Sequence, residues 1–254
     1  MKTNKKAISL IVLVITIIIL GILATTVIIS LSNTNIIEQG NNAVNQYNVG
    51  QLKQAVMLTE AEYMSAHDGT KPNTFELIDI LEEKEIITTE QKKELIQNDG
   101  KLKIGDQVYE MDKSDILGIT QITCISEPKG YRLRHSFRLL KEVEGVEYME
   151  FGNIAIASSK YNVTEGTKDE NFTFSGAEKY GFTLSEANSN MDEWVLISKP
   201  KENIYRWNYS IVEMTEEVMD RKLMVRAFVK YRKDGIEGIM YSSISEHSCR
   251  DNIQ

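Results

Sequence analysis

Few residues of this chain have the type and spacing that chemistry requires. Its 254 residues include three histidines, His67, His135 and His247. None has a second ligand at the His-x-x-x-His interval that sets two imidazoles on one helix face. His135 falls among Leu133, Phe137 and Leu139, alternating with Arg132, Arg134, Ser136 and Arg138, which is the register of a packed strand histidine. No Gly-x-Ser-x-Gly elbow and no glycine-rich phosphate loop occurs, so acyl transfer and nucleotide hydrolysis lack their marks. Acid pairs such as Glu82-Glu83 and Glu216-Glu217 lie in polar runs, where a solvated face is expected and no glycosidase pair can be singled out. The chain therefore reads as no enzyme, with no catalytic residue, metal site or cofactor.

Charge narrows the partners. With 29 Lys and Arg against 37 Asp and Glu the formal charge is −8, which argues against a basic nucleic-acid footprint. Residues 8–31 contain no charge and 17 Ile, Leu or Val, enough for about −5 to −10 kcal/mol of insertion free energy. As a helix this segment rises about 36 Å, against a hydrocarbon core of about 30 Å, and it is too long for a removed secretory signal. Lys2, Lys5 and Lys6 precede it, whereas the first later charge is Glu38 and the first later basic residue Lys53. The positive-inside bias places the N-terminus in the cytoplasm and the residues after about 32 outside, with the lipid bilayer as a partner.

Beyond the apolar segment, Ile36, Ile37, Ala43, Val44, Tyr47, Leu52, Ala55, Val56, Leu58 and Tyr63 recur at helical spacing. The helix should run to about Ala66, with Gly40 and Gly50 as places to bend. Asn73 with Glu76, and Thr88 with Gln91, have capping-box spacing and start two short helices. Residues 101–104 and 108–111 flank Gly105-Asp106 as a hairpin, completing a small head that ends near Ile122. Glu127-Pro128-Lys129-Gly130 marks a boundary after which alternation replaces helical periodicity. Strands are expected at 132–139, 148–157, 194–197, 223–231 and 236–244. The expected class is α+β: a long N-terminal transmembrane helix with a small helix-plus-hairpin head at 32–127, then an all-β immunoglobulin-like sandwich at 128–254.

Cys124 and Cys249 are the only cysteines, and they flank the expected sandwich on the outer side of the membrane, where disulfides persist. A bridge between them would close a loop of about 125 residues, worth about 4 to 5 kcal/mol in the chain-entropy model. A pair of free thiols remains the other reading, and two cysteines fall short of a structural zinc site. Trp194, Tyr205, Trp207 and Tyr209 could form a binding patch, but sandwich interiors use the same residues and core is the expectation.

The N-terminus carries one family signal. Lys5-Lys6-Ala7 followed by Ile8-Ser9-Leu10-Ile11, with Gly21-Ile22-Leu23-Ala24 further on, resembles the class III leader and apolar helix of type IV pilins and pseudopilins. In that register residues 1–7 are a cytoplasmic leader, Ala7 precedes the prepilin-peptidase cut, Ile8 becomes the N-methylated terminus and 8–31 is the membrane segment. The resemblance implies a prepilin peptidase and other pilin-like subunits as partners. Ala7 replaces the usual glycine, and Val12 stands where the family usually has a glutamate that meets a neighbour's amino-terminal charge, which implies a minor pilin or pseudopilin. The chain also resembles clostridial surface proteins, through this segment and through Tyr148-Met149-Glu150-Phe151-Gly152, Tyr205-Arg206-Trp207-Asn208 and Val225-Arg226-Ala227-Phe228-Val229. The expected function is a non-enzymatic pilin-like subunit at the bacterial cell surface. The alternative is an uncleaved single-pass surface protein whose immunoglobulin-like domain binds an unknown extracellular ligand.

Overall fold

The computed structural model describes residues 36–161, 168–186 and 203–253. Helix α1 runs unbroken from Ile36–Ala66, so Gly40 and Gly50 do not interrupt it. Both expected capping boxes form. Asn73 accepts from the backbone N–H groups of Phe75 and Glu76 at the start of α2 (Thr74–Glu83), and Thr88 accepts from Gln91 N–H at the start of α3 (Thr89–Gln97). Each box satisfies donors that a helix's first turn leaves without intrahelical partners. Strands β1 (Lys101–Ile104) and β2 (Gln107–Glu110) make the expected hairpin.

The chain divides into two units. In the first, which comprises residues 1–52 and 103–108, the described part is the N-terminal portion of α1 and the tip of the β1–β2 hairpin. The second comprises the remainder and holds every feature discussed below. It continues with β3 (Leu117–Glu127), β4 (Gly130–Leu140), β5 (Val146–Ala157), short helices α4 (Lys168–Asn171) and α5 (Ala177–Tyr180), β6 (Thr183–Glu186), β7 (Ile204–Met214), β8 (Leu223–Lys233), β9 (Ile236–Tyr241) and β10 (Ser245–His247).

Two antiparallel sheets result. One has the order β3-β4-β7; the other runs β6-β5-β8, with β9 and β10 lying end to end on the far edge of β8. Alternation in β4 buries Leu133, Phe137 and Leu139, which share one core with Trp207 of β7, Phe151 and Ala155 of β5, and Val225, Ala227 and Val229 of β8. Ring centroids of Trp207 lie 5.3 Å from Phe137 and 5.1 Å from Phe151. The other face of β8 presents Met224 and Phe228 to a second core with Ile154, Tyr161, Phe172 and Phe182. Being covered on both faces, β8 reads as a near-continuous apolar run instead of a clean alternation.

The expected architecture is corrected in two respects. Among the described residues no helix is long and apolar enough to cross a membrane, and the apolar segment 8–31 lies outside them, as does the strand expected at 194–197. Nor is a small head followed by a separate all-β immunoglobulin-like sandwich found. Residues 117–127 form a strand of the β-rich region, and the expected boundary is the tight turn of the β3–β4 hairpin, where Glu127 pairs with Gly130. Helices α2 and α3 place Phe75 and Ile96 in the same core as the sheets. Their apolar faces are too small to form a core of their own, so helices and sheets fold as one mixed body.

The seam between α3 and the sheet is close. Tyr231 Oη donates to the Ile96 carbonyl at 2.6 Å. Gly238 of β9 lies beneath that carbonyl, where an added Cβ would collide with it and would also sit 2.9 Å from the Tyr231 ring. Substituting Gly238→Ala should destabilise the protein by about 3 kcal/mol, because overpacking here must break a buried hydrogen bond or displace a helix. Urea unfolding of the variant against the parent protein measures this directly.

Candidate functional site

In the described part of the chain a constellation of buried charge lies beside a cavity, and it begins at the end of α3. Asp99 follows the helix in the left-handed region (φ 56°), which aspartate tolerates better than most residues. Asp99 is 8 % exposed. Oδ1 accepts from Lys113 Nζ at 2.9 Å and from the Tyr241 backbone N–H at 2.8 Å, while Oδ2 lies 3.7 Å from Arg226 Nη2. Lys113 Nζ also donates to the Asp99 carbonyl at 2.6 Å and to Glu110 Oε1 at 3.0 Å. Arg226 Nε donates to the Ser242 carbonyl at 2.7 Å, and its guanidinium lies 4.7 Å from the Tyr241 ring centroid. Burial pushes the Asp99 carboxyl above its ordinary value, opposed by Lys113, the Tyr241 N–H and Arg226. Burial likewise pushes the Tyr241 phenol up to about 12.

Next to this cluster lies a cavity of about 410 Å³. It is lined by residues 110–114 around the β2–β3 connection, by Leu117, Gly118 and Ile119 of β3, and by Arg138, Arg226, Tyr241, Ser242 and Ser243. The charges differ in how they are met. Lys113 has Asp99 and Glu110, and Arg226 has Asp99. Asp112 Oδ1 accepts the Ser114 backbone N–H at 2.9 Å, which holds its carboxyl below the usual range. Arg138 Nη2 donates to the Ser114 carbonyl, and among the described residues no carboxylate pairs with Arg138. Its register partners are Gly118 on β3 and Arg206 on β7.

The residues singled out in the sequence lie elsewhere. Ala7, Ile8 and Val12 are outside the described residues. Cys124 and Cys249 are disulfide-bonded with Cα atoms 5.1 Å apart, joining β3 to the turn before the C-terminus. Trp207 is buried, Tyr205 and Tyr209 pack against the same core, and Trp194 is outside the described residues. His67 Nδ1 donates to the Tyr63 carbonyl at 2.8 Å and its ring stacks on Tyr63, near the exposed end of α1. Asp99, Lys113, Arg138 and Arg226 escaped the reading of the sequence. Asp99 looks like part of an Asn-Asp-Gly turn and Arg138 like the outward member of an alternating strand. Arg226 alone gave a signal, as a charge in the middle of an apolar strand.

No protein-family model, curated protein or solved structure matches the chain.

His135 is fully buried, and among the described residues neither ring nitrogen has a hydrogen-bond partner. Burial, with a smaller contribution from the nearby His247, lowers its pKa to about 4. Between that value and the ordinary 6.5 the unfolded chain binds more protons than the folded one, so stability is complete above 6.5 and falls as pH drops towards 4. The loss should be on the order of 3 kcal/mol. Acid unfolding followed by circular dichroism should show it, and His135→Leu should remove this part of the pH dependence.

Asp99→Asn tests the buried charge cluster. Asparagine keeps the shape and the left-handed backbone but leaves Lys113 and Arg226 without their shared anion. A loss of about 3 to 5 kcal/mol is expected at pH 7. Adding Lys113→Met should recover part of it, as a double-mutant cycle in urea would show.

Proposed function

We propose that this chain is a non-enzymatic type IV pilin-like subunit of the minor pilin or pseudopilin kind, held at the bacterial cell surface by its N-terminal apolar segment. The observation that carries the proposal is the register Lys5-Lys6-Ala7 then Ile8-Ser9-Leu10-Ile11, in which an uncharged run of 24 residues begins directly after the small residue. A prepilin peptidase would cut after Ala7 and methylate Ile8, and other pilin-like subunits would pack on the segment that follows. The N-terminus lies in the cytoplasm and the β-rich region outside. The Cys124–Cys249 disulfide supports this reading, since it suits an oxidising exterior. With Val12 at the usual glutamate position the segment offers no carboxylate to a neighbour's amino terminus, which favours a subunit present in few copies.

The second reading is an uncleaved membrane-anchored surface protein whose β-rich region binds a ligand, and the polar cavity beside Asp99 favours it. Mass spectrometry of the native N-terminus separates the two. Mature protein beginning at N-methyl-Ile8 is expected, and an intact leader from Met1 to Ala7 would overturn the pilin-like reading in favour of the second.

A further inference from the structure

The cavity bounded by the β2–β3 connection, β4 and β8 has a chemistry that selects its ligand. Arg138 is a partly exposed guanidinium at its edge, engaged by one carbonyl and by no carboxylate among the described residues. A planar cation of this kind is matched by a carboxylate in bidentate geometry. The same cavity carries Glu110 and Asp112. Two carboxylates, one of them held ionised by the Ser114 N–H, repel a compact anion such as phosphate. They accept hydrogen bonds from hydroxyl groups, which themselves cannot pair with Arg138 as an ion. The partly exposed Ile119 and the buried Leu117 add apolar groups to the lining, and Ile119 is suited to meet a C–H face. At about 410 Å³ the space is large for a lone ion and lies within the range of small-molecule sites.

A ligand that uses all three features has one carboxylate, several hydroxyls and an apolar ring face. We propose that this cavity binds a uronic acid, the carboxylated sugar of acidic polysaccharides, with its carboxylate on Arg138 and its hydroxyls on Glu110 and Asp112. Arg226, 3 % exposed and fixed by the Ser242 carbonyl and Asp99, keeps its part of the lining rigid. Little ordering is then required when the ligand enters. The site is independent of how the N-terminus is processed and would serve either reading of the whole chain.

Isothermal titration calorimetry of the full-length protein in detergent, with sodium glucuronate as the probe, tests this. Saturable binding is expected. Glucose, the methyl ester of glucuronate and inorganic phosphate should each bind at least tenfold more weakly, since each lacks either the carboxylate or the hydroxyl set. Arg138→Gln should weaken glucuronate at least tenfold with an unchanged melting temperature. The two neutral sugars make the same comparison on unaltered protein should that variant fold poorly. Absence of saturable glucuronate binding would overturn the proposal, as would equal binding of the ester or of phosphate, or undiminished affinity in a folded Arg138→Gln variant.

Discussion

A carboxylate removed from water must be met by cations and hydrogen-bond donors or lose its charge, and Asp99 imposes this requirement on the elements around it. Desolvation of one ion carries a penalty of several kcal/mol. Lys113 from the β2–β3 connection, Arg226 from the middle of β8 and the Tyr241 N–H at the end of β9 offset it from three directions. The carboxylate can stand there only because the chain leaves α3 through a left-handed residue. That turn therefore fixes where the helix, the connection and two strands meet. Two buried cations on one anion leave a surplus positive charge, which Glu110 reduces at 3.0 Å from Lys113 Nζ. The cavity wall follows from this arrangement, since Lys113 and Arg226 are held by Asp99 and cannot swing into the open space.

Strand β8 transmits that constraint to the rest of the fold. Its odd-numbered residues from Leu223 to Tyr231 face the inter-sheet core, while Met224 and Phe228 face the second core. Arg226 lies on the second face, where its Nη1 donates to the Phe172 carbonyl at 3.2 Å. The charge cluster and the second apolar core thus share one strand and one side chain. Displacing either changes the packing of the other, because close-packed interiors transmit strain. The disulfide acts at the opposite end of the inter-sheet core, where β3 meets the C-terminal turn. It constrains mainly the unfolded chain, through a loop that encloses most of the β-rich region.

Local signals made much of the secondary structure legible. The capping boxes at Asn73 and Thr88, the hairpin at Gly105-Asp106 and the alternation through Leu133, His135, Phe137 and Leu139 all report interactions within a few residues of one another. The architecture was legible only in part. Glu127-Pro128-Lys129-Gly130 has the composition of a linker and of a tight turn alike, and what decides between them is the pairing of β3 with β4 over ten residue pairs. The α2 and α3 faces carry no mark of what they will cover. The charge cluster was least legible, because residues 99 and 113 each have an ordinary local explanation and Arg226, the one charge out of place in its strand, lies more than a hundred residues away. Burial, which sequence does not display for isolated charges, is what gives them meaning.

The N-terminal segment and the cavity make separate physical demands, and that separation bears on how a pilin-like subunit of this kind would work. A subunit repeated along a filament depends on contacts that each copy makes with the next. In apolar surroundings a carboxylate meeting an amino-terminal charge is among the few interactions strong enough to set their register. On the pilin-like reading, valine at that position would leave the segment only dispersion and apolar contact, which hold a helix among neighbours without specifying its axial position. On the pilin-like reading, such a subunit adds little to the strength of a filament. On that reading its contribution has to come from the surface it presents, and among the described residues the polar cavity at Arg138 is a surface feature that sets charges of both signs around one space.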